Sequence, residues 1–102
     1  SVIVTGVENQ GKIPVSFELK QNYPNPFNPS TKIDFNISKS GHVTLKVYDA
    51  VGRQVALLAD EYKQPGSYSV SYDAGRLSSG VYYYRLQTDN GYAETKKMTL
   101  VK

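Results

Sequence analysis

Cysteine and tryptophan are absent from this sequence, and histidine occurs only once. Without cysteine there is no disulfide framework, no thiolate nucleophile and no sulfur-ligated zinc. The sequence also has no apolar run long enough to cross a membrane, and its first residues lack the basic start of a signal peptide. If the protein is secreted, we therefore expect these residues to belong to a longer chain.

Net positive charge is confined to the last quarter of the chain. Residues 1–75 contain seven Lys or Arg and seven Asp or Glu, whereas residues 76–102 contain five against two, so the whole net charge of +3 lies in that last part. A nucleic-acid interface needs a denser basic patch. We predict no nucleic-acid partner and no membrane insertion, and the charge by itself indicates a solvated basic edge.

Groups that support catalysis or metal binding are also few. The acidic residues are scattered without EF-hand spacing. A calcium site built from several of them at one end of the fold is a weaker interpretation than turn caps and ion pairs. His42 follows a turn glycine, and Ser78-Ser79-Gly80 lacks the pattern of a nucleophile elbow. We predict no catalytic residue, no metal site and no cofactor.

Alternating apolar and polar residues are plentiful after residue 16. Residues 1–16 are interrupted by two glycines and a proline, which predicts a linker or the end of a preceding domain. Residues 17–102 are predicted to form a separate domain. Period-two alternation is typical of strands with one buried face. The runs with this pattern are 33–37, 43–47, 68–72, 82–86 and 97–100, and the apolar run 55–58 is a sixth strand candidate.

Turn residues separate these runs. Asn90-Gly91 predicts a type I′ hairpin turn, and Gly52 is expected to be left-handed in a longer hairpin that Asp49 and Arg53 flank. The three prolines of segment 22–29 exclude a helix and a central strand, so we predict a stiff edge there, with Tyr23 and Phe27 packed inward. Counting this segment, we expect an all-β, seven-stranded antiparallel sandwich of the immunoglobulin-like or fibronectin-III-like type.

The ordered motifs of this sequence resemble the type A C-terminal sorting domain of type IX (Por) secretion cargo over residues 17–102. The opening signature is 21–31, followed by Val47-Tyr48-Asp49 with Gly52-Arg53, then 77–86, then the closing strand 95–102. Tyr72 stands where the family often has tryptophan, which keeps an aromatic ring. The residues that carry the resemblance include Asn22, Tyr23, Pro24, Asn25, Pro26, Phe27, Asn28, Pro29, Asp49, Gly52, Arg53, Gly80, Tyr82 and Arg85.

The resemblance implies a function, a set of partners and a location. Such domains take an upstream cargo domain of the same chain from the periplasm through the outer-membrane translocon, and in many cases a sortase-like surface protease removes them. The expected product is secreted or held at the cell surface. A related immunoglobulin-like domain of flagellar hook-capping proteins shares the central and penultimate motifs, but not the Asn-Pro-Phe-Asn-Pro opener.

The C-terminal strand is our candidate recognition site. An edge strand offers backbone groups to a partner, and its lysines can steer it to an acidic receptor or merely protect the edge from aggregation. The candidate residues are Lys96, Lys97, Met98, Thr99, Leu100, Val101 and Lys102.

The nine tyrosines keep an alternative open. Flat aromatic rings stack on sugars, so a carbohydrate-binding module is one other interpretation, with Tyr62, Tyr83 and Tyr92 as the exposed candidates. A passive spacer or assembly module of a secreted multidomain enzyme is another.

Overall fold

The computed structural model of the protein describes residues 13–102. The predicted linker at 1–16 therefore lies mostly outside the described residues, and the division at residue 17 stays a prediction.

Residues 13–102 form seven strands in two antiparallel sheets, which confirms the predicted all-β sandwich. One sheet has three strands in the order β1-β2-β5, and the other has four in the order β4-β3-β6-β7. The strands are β1 (Glu18–Leu19), β2 (Ser30–Ile37), β3 (Gly41–Tyr48), β4 (Gln54–Lys63), β5 (Gly66–Asp73), β6 (Gly80–Thr88) and β7 (Ala93–Leu100).

All six predicted runs lie in strands β2 to β7, but the seventh strand is not the one expected. It is the two-residue β1, which precedes the proline-rich segment 22–29. That segment contributes two isolated bridges, Tyr23 to Lys32 and Phe27 to Leu100. Because proline has no N–H, three prolines leave this segment too few donors for a ladder. All three of its X–Pro bonds are cis.

The two aromatic rings of segment 22–29 have different environments. Phe27 is 1% exposed and belongs to the core, as predicted, whereas Tyr23 is 78% exposed, so its predicted inward packing is wrong.

The core lies between the two sheets and follows the alternation of the sequence. In β2, β3 and β6 every second side chain is buried and its neighbours face solvent. The buried hydrophobic residues are Leu19, Phe27, Ile33, Phe35, Ile37, Val43, Leu45, Val47, Ala74, Tyr82, Tyr84, Leu86, Met98 and Leu100.

Two hairpins of the four-stranded sheet use the same turn. In each, a glycine with positive φ (Gly52 at 92°, Gly91 at 98°) closes a three-residue loop. Its N–H bonds the carbonyl three residues back, which is Asp49 in one hairpin and Thr88 in the other. Gly52 is therefore left-handed as predicted. The prediction of a type I′ turn at Asn90-Gly91 is wrong. This loop has three residues instead of two and closes as a hairpin with a bulge.

Candidate recognition site on the C-terminal strand

Strand β7 is an edge of the four-stranded sheet and pairs with β6 alone. Its side chains alternate between the core and the outer surface. Met98 and Leu100 are buried and hold the strand in the sandwich, while Lys97 faces outward and Thr99 is half-buried. Of the predicted recognition residues, these two core side chains are therefore inaccessible to a partner in the folded domain.

The proline-rich segment covers the last part of the β7 edge. The Phe27 N–H donates to the Thr99 carbonyl (2.9 Å), and the Val101 N–H donates to the Phe27 carbonyl (2.9 Å). The Thr99 N–H donates to the Asn25 Oδ1 (3.0 Å). Gln21 Nε2 donates to the Lys97 carbonyl (2.7 Å). Segment 21–27 therefore satisfies most outward backbone groups from residue 97 onward.

The preceding part of the same edge is open. Because Thr99 points its N–H and carbonyl away from β6, the period of two turns those of Thr95 outward as well. Among residues 13–102, neither the Thr95 backbone nor the Lys97 N–H has an outward hydrogen-bond partner. A partner strand that added to β7 would find these groups free.

The three lysines of the predicted site have separate environments. Lys96 faces the inner side and lies 3.5 Å from the Glu94 carboxylate. Lys102 donates through Nζ to the carbonyls of Gly75 (2.7 Å) and Leu77 (2.8 Å), which fastens the end of the chain to a neighbouring loop. Lys97 alone projects from the outer face of the strand.

Glu94 joins β7 to the first residues of the domain. It accepts hydrogen bonds from the Tyr92 hydroxyl and from the Leu19 N–H (3.4 Å). The Tyr92 hydrogen bond holds the pKa of Glu94 below its ordinary value, and burial raises the pKa of Tyr92. The Tyr92 ring stacks on Phe17 at 5.1 Å between centroids, so its predicted exposure is wrong.

Tyr84 anchors the start of the proline-rich segment. Its hydroxyl donates to the Lys20 carbonyl (2.7 Å) and accepts from the Asn22 N–H (2.8 Å). Burial raises the pKa of Tyr84 to about 12. The buried Asn22 side chain in turn donates to the Thr31 hydroxyl (3.0 Å) and to the Pro24 carbonyl (3.1 Å). One buried hydroxyl thus ties the opening family motif to β6.

The other prolines and asparagines of that motif lie at the surface. Pro29 is half-buried, and its carbonyl accepts from the Ala74 N–H (2.9 Å). The exposed residues are Pro24, Asn25, Pro26 and Asn28.

The central and penultimate motifs meet at one end of the sandwich. Asp49 accepts from the Arg53 N–H (2.9 Å) and from Arg53 Nε (2.8 Å), so the two residues that flank the hairpin pair across it. The Arg53 backbone hydrogen bond holds the pKa of Asp49 below its ordinary value. Gly80 and Tyr82 line an open cleft of about 340 Å³ with this hairpin. The Arg53 side chain is 80% exposed.

Tyrosines do not gather into one platform. Tyr62 is 61% exposed beside His42, and Tyr83 is 36% exposed in the middle of the outer face of the four-stranded sheet. Tyr48, which was not among the predicted sugar-binding candidates, lies opposite Tyr83. Only the register of β3 and β6 brings these two together, so no local pattern indicated it.

Residues 13–102 contain no group of three or more His, Cys, Asp or Glu placed to hold a metal ion. The same residues contain no helix long and apolar enough to cross a membrane.

The comparison with solved structures finds two crystal structures of a β-glucosidase from Listeria innocua, one in complex with glucose and one with isofagomine. Each superposes with a TM-score of 0.53, at 15% and 17% identity, over 85% and 83% of this chain. At that identity the likeness shows the fold alone. The chain spans 16% of the length of either glucosidase.

A comparison with curated protein sequences finds no match. A family model described as "Secretion system C-terminal sorting domain" matches residues 21–101, from the start of the proline-rich motif to the end of β7. The matched range includes the motifs placed above as far as Val101, and the family is non-catalytic in general. The chain therefore belongs to the family of type IX secretion C-terminal sorting domains.

Proposed function

We propose that this domain directs attached cargo across the outer membrane through the type IX translocon, and that it acts by being bound. Family membership gives it a sorting role in type IX secretion and a secreted or cell-surface destination. The handling by the translocon, the upstream cargo domain and the later encounter with a sortase-like surface protease are parts of the proposal.

The observation that carries the proposal is the half-covered edge of β7. The proline-rich segment occupies the outward groups of Thr99 and Val101, while those of Thr95 and the Lys97 N–H have no partner within the described range 13–102. A partner strand that adds to a free edge gains backbone hydrogen bonds without a large conformational change in either protein. We infer that the receptor engages residues 93–97. Residues 98–102 hold this part of the strand in position through their contacts with the core and with loop 74–79.

This arrangement gives the residues of the recognition set, 96–102, different roles. Lys97 presents its charge to the receptor, Met98 and Leu100 anchor the strand in the core, and Lys102 fastens its end to loop 74–79. Lys96 is already paired with Glu94. Deleting residues 96–102 would therefore remove core side chains, so point substitutions are the sharper test.

The test fuses all 102 residues to a periplasmic reporter in a bacterium with a working type IX system and measures the reporter in the medium. Thr95→Pro removes only an outward N–H, and proline is tolerated at such edge positions. We expect Thr95→Pro to reduce export strongly while circular dichroism and the thermal midpoint show a folded domain.

Ser71→Pro is the matched control, because Ser71 is exposed on β5, an edge strand of the three-stranded sheet. The Ala74 N–H points toward β2, because it donates to the Pro29 carbonyl. Backbone groups alternate in direction along a strand, so the Ser71 N–H, three residues earlier, points away from β2. Export that survives Thr95→Pro would remove strand addition from the mechanism. Loss of export in both variants would show that the effect is not specific to β7.

A further inference from the structure

Two cations face each other directly in the four-stranded sheet. Lys46 of β3 and Arg85 of β6 are register partners, and both alternate outward from buried neighbours. Like charges directly opposite on neighbouring strands destabilise a sheet. Among residues 13–102, neither has a carboxylate within ion-pair distance, and Arg85 Nη1 donates only to the Thr95 hydroxyl at 3.3 Å.

A third cation extends this cluster onto β7. Lys97 lies two residues from Thr95, the register partner of Arg85, so it is a diagonal neighbour at roughly 7–8 Å. In the neighbouring row across the sheet, Lys97 is the register partner of Tyr83, and Tyr83 is the register partner of Tyr48. We call the surface formed by Lys46, Tyr48, Tyr83, Arg85 and Lys97 the basic face.

No acidic side chain of the described residues neutralises the basic face. Asp60, opposite Thr44, is the carboxylate nearest to it in the strand register, and it is already hydrogen-bonded to His42 at 2.5 Å.

Elsewhere in the described residues, three cations have acidic partners, whereas no ion pair involves Lys20, Lys32, Lys39, Arg76 or Lys102. The three pairs are Arg53 with Asp49 (2.8 Å), Lys63 with Glu61 (2.7 Å) and Lys96 with Glu94 (3.5 Å).

We propose that the basic face is a second interaction surface, which docks an acidic surface of a protein partner. Its central arginine and two tyrosines are residue types enriched in protein interfaces, and Leu57 (49% exposed) borders it opposite Lys46. Charge complementarity to an acidic partner would remove the repulsion between Lys46 and Arg85 that the free domain retains.

Size indicates the kind of complex. Four strands about 4.8 Å apart and about eight residues long at 3.3 Å each give a face of roughly 500 Å². Stable complexes use about 800 Å² per partner. The complex is therefore weak and short-lived, and salt screens it.

Protein is favoured over other anionic partners by the composition of the face. Membrane surfaces and nucleic acids call for denser clusters of lysine and arginine. Stacking on a polysaccharide needs open ring faces, but Tyr48 is half-buried and Tyr83 is 36% exposed. The surface is independent of the proposed export role, although Lys97 belongs to both, so Lys46 and Arg85 carry the test.

The experiment titrates the ¹⁵N-labelled 102-residue chain at low salt with three probes and follows its amide resonances. The probes are a peptide of about 20 residues rich in Glu, Asp and Tyr, heparin, and vesicles containing phosphatidylglycerol. We expect the peptide to shift resonances of outward residues on β3, β6 and β7. We also expect Arg85→Glu to weaken binding about tenfold, or about 1.4 kcal/mol.

Lys32→Glu is the charge-matched control, because Lys32 is exposed on β2 of the other sheet; its binding should stay within about twofold of the parent chain, which is below 0.5 kcal/mol. Lys46→Thr supplies a second variant, which should weaken peptide binding while raising the thermal midpoint.

Four results would overturn the proposal. Equal loss with Lys32→Glu would mean that net charge, not the face, binds the peptide. Tighter binding of heparin or vesicles at the same residues would assign the face to a polysaccharide or a lipid surface. Shifts that depend on protein concentration without a probe would assign it to a second copy of the chain. Unchanged spectra with all three probes would remove the surface altogether.

Discussion

Strands β4 and β7 are the two edges of the four-stranded sheet, and their outer sides differ. Along β7, segment 21–27 supplies a second row of hydrogen bonds that ends near residue 97. Along β4, bulges in the pairing with β3 interrupt the ladder, and Asp60, Glu61 and Lys63 place charges near its end. Bulges and charges are common ways to keep an edge strand from aggregating.

The difference shows that one edge is blunted by its own sequence and the other is covered by a distant segment. A covered edge depends on tertiary anchoring, so loss of the anchor would uncover it. Phe27 in the core, Tyr84 beneath residues 20–22 and Asn25 on Thr99 are three of its side-chain attachments. Three substitutions test how far these attachments, and not β7 itself, create the difference, and a fourth tests the β4 edge.

Phe27→Ala should have the largest effect. The ring is fully buried, so truncation leaves a cavity and is expected to lower the free energy of unfolding by about 3–5 kcal/mol. Chemical denaturation measures it. Tyr23→Ala, in the same segment but exposed, should change stability by less than about 0.5 kcal/mol. Similar losses for both would mean that the segment is not anchored through Phe27.

Tyr84→Phe removes one hydroxyl that serves both Lys20 and Asn22. Leaving these buried backbone groups without a partner should cost about 1–3 kcal/mol. Tyr83→Phe is the control, with an expected change near zero.

The same tyrosine predicts a pH dependence. Because the pKa of Tyr84 is raised to about 12 in the folded state, its contribution is intact below pH 10 and is lost as pH rises from 10 toward 12. Unfolding curves at several alkaline pH values measure this, and Tyr84→Phe should flatten the loss. An equally steep loss in the variant would contradict the assignment.

Asn25→Ala should open the covered edge without disturbing the core. Losing the bond to the Thr99 N–H is expected to cost about 0.5–1.5 kcal/mol. Hydrogen exchange gives the sharper measurement, because the Thr99 amide should be protected in the parent chain and fast in the variant. The Thr95 amide should exchange fast in both. Protection of Thr95 in the parent chain would contradict the open half of the edge.

Leu57→Glu on β4 should have the smallest effect on stability, within about 0.5 kcal/mol, because Leu57 faces solvent and the new carboxylate lies opposite Lys46. Its effect should instead be on aggregation during heating, measured by light scattering, since charge is added beside an edge strand. A marked loss of stability would show that the β4 edge depends on Leu57 packing.

Much of the fold could be predicted from local patterns. Six strands, the buried face of every one of them except β4, and the left-handed Gly52 follow from alternation and turn chemistry. The proline-rich segment could not be assigned in the same way. Its backbone groups are satisfied by Lys32 of β2 and by residues 99–101 of β7, and no local pattern reports on partners that far away.

The candidate site shows the same limit. The basic excess of the last 27 residues suggested one charged strand, but the fold divides it. Lys96 pairs with Glu94 and Lys102 binds carbonyls of loop 74–79, while Lys97 joins Arg85 and Lys46, a residue from the balanced part of the chain.

The sequence by itself determined which side chains face the core, because a strand turns every second residue to the same side whatever lies next to it. It also determined the family, since the motifs keep their order along the chain. Only the tertiary structure decided which half of the β7 edge is covered and which cations lie together. Both depend on the register between strands and on contacts between residues that lie 39 to 74 positions apart, such as Lys46 with Arg85 and Asn25 with Thr99. Neither is encoded in any short stretch of the chain.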